Sequence, residues 1–172
     1  MSLTVTRWTD FIAFLICTTF LVIGAYLQYT LGLVPCPLCI IQRFLITCLG
    51  ILFLMGALFN FSPTTRSFLH TFTFLLSAIG AAVASRQLWL EHFPSDKLIS
   101  CKASLAELNQ SAFFQQVIDL FFKGTSNCGA SPWSFLGLSI PMWSLLLFLF
   151  LIVLTLRQVY LNRIMNQRNA LF

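Results

Sequence analysis

The sequence predicts an all-α membrane protein, a four-transmembrane-helix bundle with a long extracytoplasmic loop that carries a short interfacial helix. Two observations lead there. Of 172 residues, 58% are hydrophobic and only 9% charged, with a mean hydropathy of +0.87, against roughly half apolar and a quarter charged for a soluble domain. That much apolar surface cannot be hidden in one water-soluble core. The apolar residues also fall into four windows of bilayer-spanning length, about 20 residues each, and lipid leaves only helices able to cover such lengths.

The windows run over about 11–33, 39–61, 68–90 and 141–161, within one membrane domain of residues 1–172. The first carries no charge. It is longer than a signal-peptide core and no small-residue cleavage site follows it, so it is read as a mature span. The second is broken by Arg43, the third holds Arg86 in its last turn, and the fourth opens at Pro141, where a missing N–H costs nothing. Trp8, Trp89, Trp133 and Trp143 all fall near window ends, as interfacial belts do.

Four spans put both termini on one side. The flanks on that side hold Arg7, Arg66, Arg157, Arg163 and Arg168. The first opposite loop, about 32–38, has no basic residue, and the second, about 91–140, has Lys97, Lys102 and Lys123. Five against three places both termini in the cytoplasm and the two loops outside it. The formal net charge is +5, but the ten basic residues are scattered between apolar runs. They read as membrane flanks, without the solvated basic patch a nucleic-acid partner requires. In the long loop, Ser104 and Glu107 form a capping-box pattern. Leu105, Leu108, Phe114, Val117, Ile118, Phe121 and Phe122 then recur near helical spacing, as in a helix lying in the membrane surface or one packed on the other loop.

The six cysteines divide by compartment. Cys17 and Cys48 sit inside spans and read as small buried hydrophobes. Cys36, Cys39, Cys101 and Cys128 fall on the extracytoplasmic side, where disulfides form and persist. Cys36 and Cys39 form a Cys-Pro-Leu-Cys pair at the mouth of the second span. Such pairs close and open readily, and the thiolate is their nucleophile. Cys39 lies where the helix dipole favours an anion. Arg43, one turn on, shares its helix face. A charged residue inside a span is costly and marks function. Arg43 is read as stabilising negative charge on a thiolate or a reduced acceptor, the alternative being a side chain that snorkels to the surface. Cys101 and Cys128 are a structural staple or a second redox pair, and spacing alone favours the staple. The four cysteines do not form the two close pairs a structural zinc site wants, so no metal site is expected. His92, after Glu91 at the end of the third span, is either an interfacial polar residue or a proton carrier.

These residues closely resemble the DsbB family of disulfide bond formation proteins. The match comprises Cys36-Pro-Leu-Cys39 with Arg43, Gln87-Leu88 and Glu91-His92 ending the third span, the loop cysteine pair, and Phe135-Leu136-Gly137-Leu138 followed by Pro141 and Trp143. It covers about residues 10–160. The resemblance implies a thiol:quinone oxidoreductase in the bacterial inner membrane, using ubiquinone or menaquinone and serving a periplasmic DsbA-type dithiol oxidase. It implies that Cys101 takes the mixed disulfide with Cys128 leaving, and that Cys36–Cys39 reoxidises that pair and passes electrons from Cys39 to quinone. Arg43 and His92 are the expected quinone-binding residues. Leu38, Ile40, Phe44 and Leu145 are candidate apolar lining. Gln42 is a departure: some family members carry an acid there, and its absence removes a local negative charge. Two rivals remain. A vitamin-K-epoxide-reductase-like enzyme would carry its Cys-x-x-Cys near the last spans. A non-enzymatic bundle would use the loop cysteines as a structural disulfide or metal site.

Overall fold

The computed structural model describes residues 2–31, 37–92, 134–135 and 137–170. Four long helices carry the fold: α1 (Ser2–Leu31), α2 (Pro37–Leu58), α3 (Pro63–His92) and α4 (Ile140–Ala170). Each is long and apolar enough to cross a membrane. The chain is therefore a multi-pass membrane protein. Most of each apolar window faces outward, with Phe68, Val153, Val22 and Phe44 all more than 60% exposed, as expected where lipid is the solvent. The expected loop helix, at about 104–122, lies outside the described residues.

Packing runs in sequence order, α1 on α2, α2 on α3, and α3 on α4, with the last pair the most extensive. The central core joins Ala13 and Cys17 of α1, Ile46, Leu49 and Phe53 of α2, Ala84 of α3, and Phe148 and Leu151 of α4. Cys17 is fully buried there, as expected of a small hydrophobe. Two glycines set the helix spacing. A Cβ on Gly80 would overlap the Phe148 ring, so α4 presses an aromatic face directly onto the α3 backbone. A Cβ on Gly56 would come within 2.9 Å of Asp10 Oδ2. Small residues at such crossings let backbones approach in lipid.

α1, α3 and α4 overrun their apolar windows at the end where the chain termini lie, hereafter the terminal end. Polar residues there are buried inside the bundle. Thr6, Asp10, Arg66, His70, Gln158 and Asn162 are each 5% exposed or less. Gln158 Nε2 donates to Asp10 Oδ1 at 2.6 Å and to Thr9 Oγ1 at 2.9 Å, tying α4 to α1. Counting along antiparallel helices from the Gly80–Phe148 contact sets His70 level with Gln158 and Arg66 level with Asn162. Arg66, read from sequence as a membrane-flanking charge, is inside the bundle at 1% exposed. Arg7 Nε donates to Ala57 O at 2.9 Å, a cation on the last carbonyls of α2. Ser62 caps α3, its Oγ accepting from Thr65 N, with Pro63 in the first helical position.

Before α4 the chain makes a two-residue hairpin, β1 (Ser134–Phe135) pairing antiparallel with β2 (Leu138–Ser139). Gly137 sits in its turn at φ +78°, a conformation open to glycine. β2 leads directly into the fourth helix at Ile140.

Candidate functional site

Cys39 is the third residue of α2, half-buried at the end of the bundle opposite the termini. Helix placement follows from sequence: Pro37 opens α2 without needing an N–H partner, and Leu38 anchors the first turn at 1% exposed, packed with Val83 and Leu90 of α3. The first-turn amides and the helix dipole make this a favourable place for an anionic sulfur.

From Cys39 the two polar residues one turn on diverge. Gln42, on the inner side, is 5% exposed. Its Nε2 donates to Gln87 Oε1 at 2.7 Å, and Gln87 Nε2 in turn reaches Cys39 Sγ at 3.1 Å. Ser144 of α4 donates to Gln42 Oε1 at 2.7 Å, and its hydroxyl also lies 2.8 Å from Pro141 O. A buried hydrogen-bonded line thus runs from α4 through α2 and α3 back to the Cys39 sulfur. Arg43 turns the other way, toward α1. Its Nη2 donates to Gly24 O at 2.8 Å and its Nη1 to Gln28 Oε1. Arg43 is therefore tied down within the bundle. At the same end, Ser139 Oγ donates to Glu91 Oε2 at 2.9 Å, fixing the hairpin to the end of α3.

An apolar cleft of about 570 Å³ lies between α1 and the first turn of α4. Leu15, Thr19, Phe20 and Gly24 line one wall, and Ile140 and Trp143 the other. The Thr19 hydroxyl is spent on Leu15 O of its own helix, so it leaves the wall effectively apolar. Gly24 belongs both to this wall and to the Arg43 anchor. The residues expected to line an apolar site lie elsewhere than this cleft. Leu38 is buried on α3, Phe44 is 66% exposed away from the cleft, and neither Ile40 nor Leu145 borders it.

Among the sequence-identified residues, the structure brings Cys39 together with Gln42 and Gln87, and sets Arg43 one turn on. Cys36, Cys101 and Cys128 lie outside the described residues, as does the side chain of His92, which closes α3. Sequence reasoning missed Ser144, Gln28 and Gly24. Polar residues at lipid depth were the available signal, since burial there demands a partner.

The family model for disulfide bond formation protein DsbB matches residues 6–158. This chain belongs to the DsbB family. Named relatives agree. Disulfide bond formation protein B of Xylella fastidiosa is 42% identical over 144 residues, covering 83% of each chain. That of Nitrosococcus oceani is 36% identical over 153 residues, covering 89% of this chain and 90% of the relative. That of Stutzerimonas stutzeri is 38% identical over 148 residues, covering 86% and 91%. Membership of the DsbB family makes the chain a membrane oxidoreductase of disulfide bond formation.

Proposed function

We propose that this protein is a thiol:quinone oxidoreductase of the bacterial inner membrane. It reoxidises a reduced periplasmic DsbA-type dithiol protein and delivers the electrons to membrane quinone. The observation that carries the reading is the placement of Cys39: a thiol on the first turn of α2, one turn from an arginine anchored in the wall of an apolar cleft. The Cys39 end faces the periplasm and both termini face the cytoplasm, following the five-to-three bias in basic residues.

The relay uses two cysteine pairs. A partner thiolate attacks the Cys101–Cys128 disulfide at Cys101, and Cys128 leaves as the thiolate. The partner's second thiol then displaces Cys101, so two electrons pass to the loop pair and the partner leaves oxidised. The reduced loop pair attacks the Cys36–Cys39 disulfide in the same manner and is itself reoxidised. The Cys39 sulfur becomes anionic on the α2 N-terminus, where the helix dipole and the nearby Arg43 charge favour it.

The cleft suits an apolar acceptor. Its volume lies within the roughly 300–1,000 Å³ of small-molecule sites, its walls are apolar, and Arg43 is bonded to the carbonyl of Gly24 in one wall. Quinone, when bound, supplies the two-electron acceptor for the reduced Cys36–Cys39 pair. Arg43 would hold its polar head, and His92 would carry protons at the end of α3.

Thiol titration of the denatured protein tests the reading. Protein first reduced and then treated with quinone in detergent should lose four of its six thiols. Protein treated without quinone in the absence of oxygen should keep all six. A structural staple or a metal site gives the same count with and without quinone.

A further inference from the structure

Gln42 and Gln87 are 5% and 3% exposed in a lipid-embedded bundle. A buried primary amide left unbonded is costly, so each one points in whichever direction keeps its neighbours bonded. Here all three bonds of the line have the same sense. Ser144 Oγ donates to Gln42 Oε1, Gln42 Nε2 donates to Gln87 Oε1, and Gln87 Nε2 donates to Cys39 Sγ. The line ends by presenting an N–H to sulfur, which suits a thiolate, a group that only accepts. Bonds in one sense also polarise one another and strengthen the last donor.

The same atoms permit the opposite sense. The Ser144 hydroxyl has one proton and two acceptors in reach, Gln42 Oε1 at 2.7 Å and Pro141 O at 2.8 Å. With that proton turned to Pro141, Ser144 Oγ can accept from Gln42 Nε2. Turning both amides over then makes Gln87 Nε2 the donor to Gln42 Oε1, and leaves Gln87 Oε1 facing sulfur as acceptor for a thiol S–H. Both senses keep every link bonded, and neither moves a heavy atom beyond the amide flips.

We propose that Gln87, Gln42 and Ser144 form a reversible hydrogen-bond relay that matches the protonation state of Cys39, donating to its thiolate and accepting from its thiol, and so sets how much thiolate is present. Gln87 touches the reacting sulfur. Gln42 and Ser144 are positioning residues that act through it. The relay transfers no proton along its length; the Sγ proton exchanges with water at that end of the bundle. The neutral Gln42 is essential, because a carboxylate only accepts: it would take bonds from both Ser144 and Gln87 and hold the line in the second sense alone. The inference rests on the proposed function only in giving Cys39 a redox role.

The test reads the thiol directly, without quinone or partner. Full-length protein in detergent, with Cys39 as the only cysteine left, is alkylated with iodoacetamide across a range of pH. Gln87→Leu should move the pH profile upward by about one unit, a roughly 10-fold loss of rate at neutral pH. Gln42→Leu and Ser144→Ala should move it the same way by about a third as much in fold terms, roughly 3-fold. Ser144→Thr, which keeps the hydroxyl, should leave it in place. A change in access alone lowers the plateau rate and leaves the midpoint unmoved. Coincident midpoints across all variants overturn the proposal. A shift confined to Gln87→Leu overturns the relay and leaves a single amide–sulfur bond. The outcome is independent of quinone turnover, so loss of the oxidoreductase reading and loss of the relay are told apart.

Discussion

Arg43 Nη2 donates to the backbone carbonyl of Gly24 at 2.8 Å, joining the helix that carries Cys39 to the wall of the apolar cleft. Its Nη1 holds Gln28 one turn further along α1. The guanidinium fork makes both contacts at once, one of them to a residue of the cleft wall, a geometry an ammonium cannot copy.

Arg43→Lys should therefore lower quinone turnover by about 10-fold, and Arg43→Leu by more, with the KM for quinone rising more than the KM for the dithiol partner. Steady-state kinetics with each substrate varied in turn measures this. Equal effects on the two KM values would place Arg43 away from the acceptor.

The cleft can be filled from its lipid-exposed side. Thr19→Trp removes only a hydroxyl already bonded within α1 and puts an indole into the gap. The KM for quinone should rise by about 10-fold or more, while thermal stability in detergent stays within about 0.5 kcal/mol. An unchanged KM would remove the cleft from the acceptor's path.

Gly80 and Phe148 test the packing. Gly80→Val places a branched side chain where the Phe148 ring lies, and should destabilise the bundle by about 1–3 kcal/mol. Phe148→Ala added to it should recover part of that loss. Thermal unfolding of both single variants and the double variant measures the coupling.

At the terminal end, Gln158→Leu removes the donor to Asp10 and Thr9 and should cost about 1–2 kcal/mol. Turnover at moderate temperature should hold near that of the unaltered protein, because the Cys39 site is at the opposite end of α4. A large loss of activity in a folded Gln158→Leu protein would show that the two ends are coupled.

The four spans were legible because a bilayer imposes a length and a polarity that composition alone can meet. Cys39 and Arg43 were legible as a pair because three to four residues make one helical turn. What joins them to the rest was not. The Gln87–Cys39 bond depends on the register between α2 and α3, and the Ser144 bond on that between α2 and α4; neither register leaves a periodic trace. Arg66 looked like a flanking charge because sequence does not reveal which face of a helix end turns inward. The hairpin at Gly137 was hidden because two-residue strands are too short for any alternation to show. The cleft is lined by helices distant in the chain, so no single-helix pattern shows it.

Quinone reduction, followed optically after adding a reduced DsbA-type protein to this protein in detergent, tests the central claim most directly. Cys36→Ser, Cys39→Ser, Cys101→Ser and Cys128→Ser run beside it. The account predicts one quinone reduced per partner dithiol oxidised, and sustained turnover abolished by each of the four substitutions. Folded protein that reduces no quinone with such a partner, or that keeps turning over after Cys39→Ser, would contradict it.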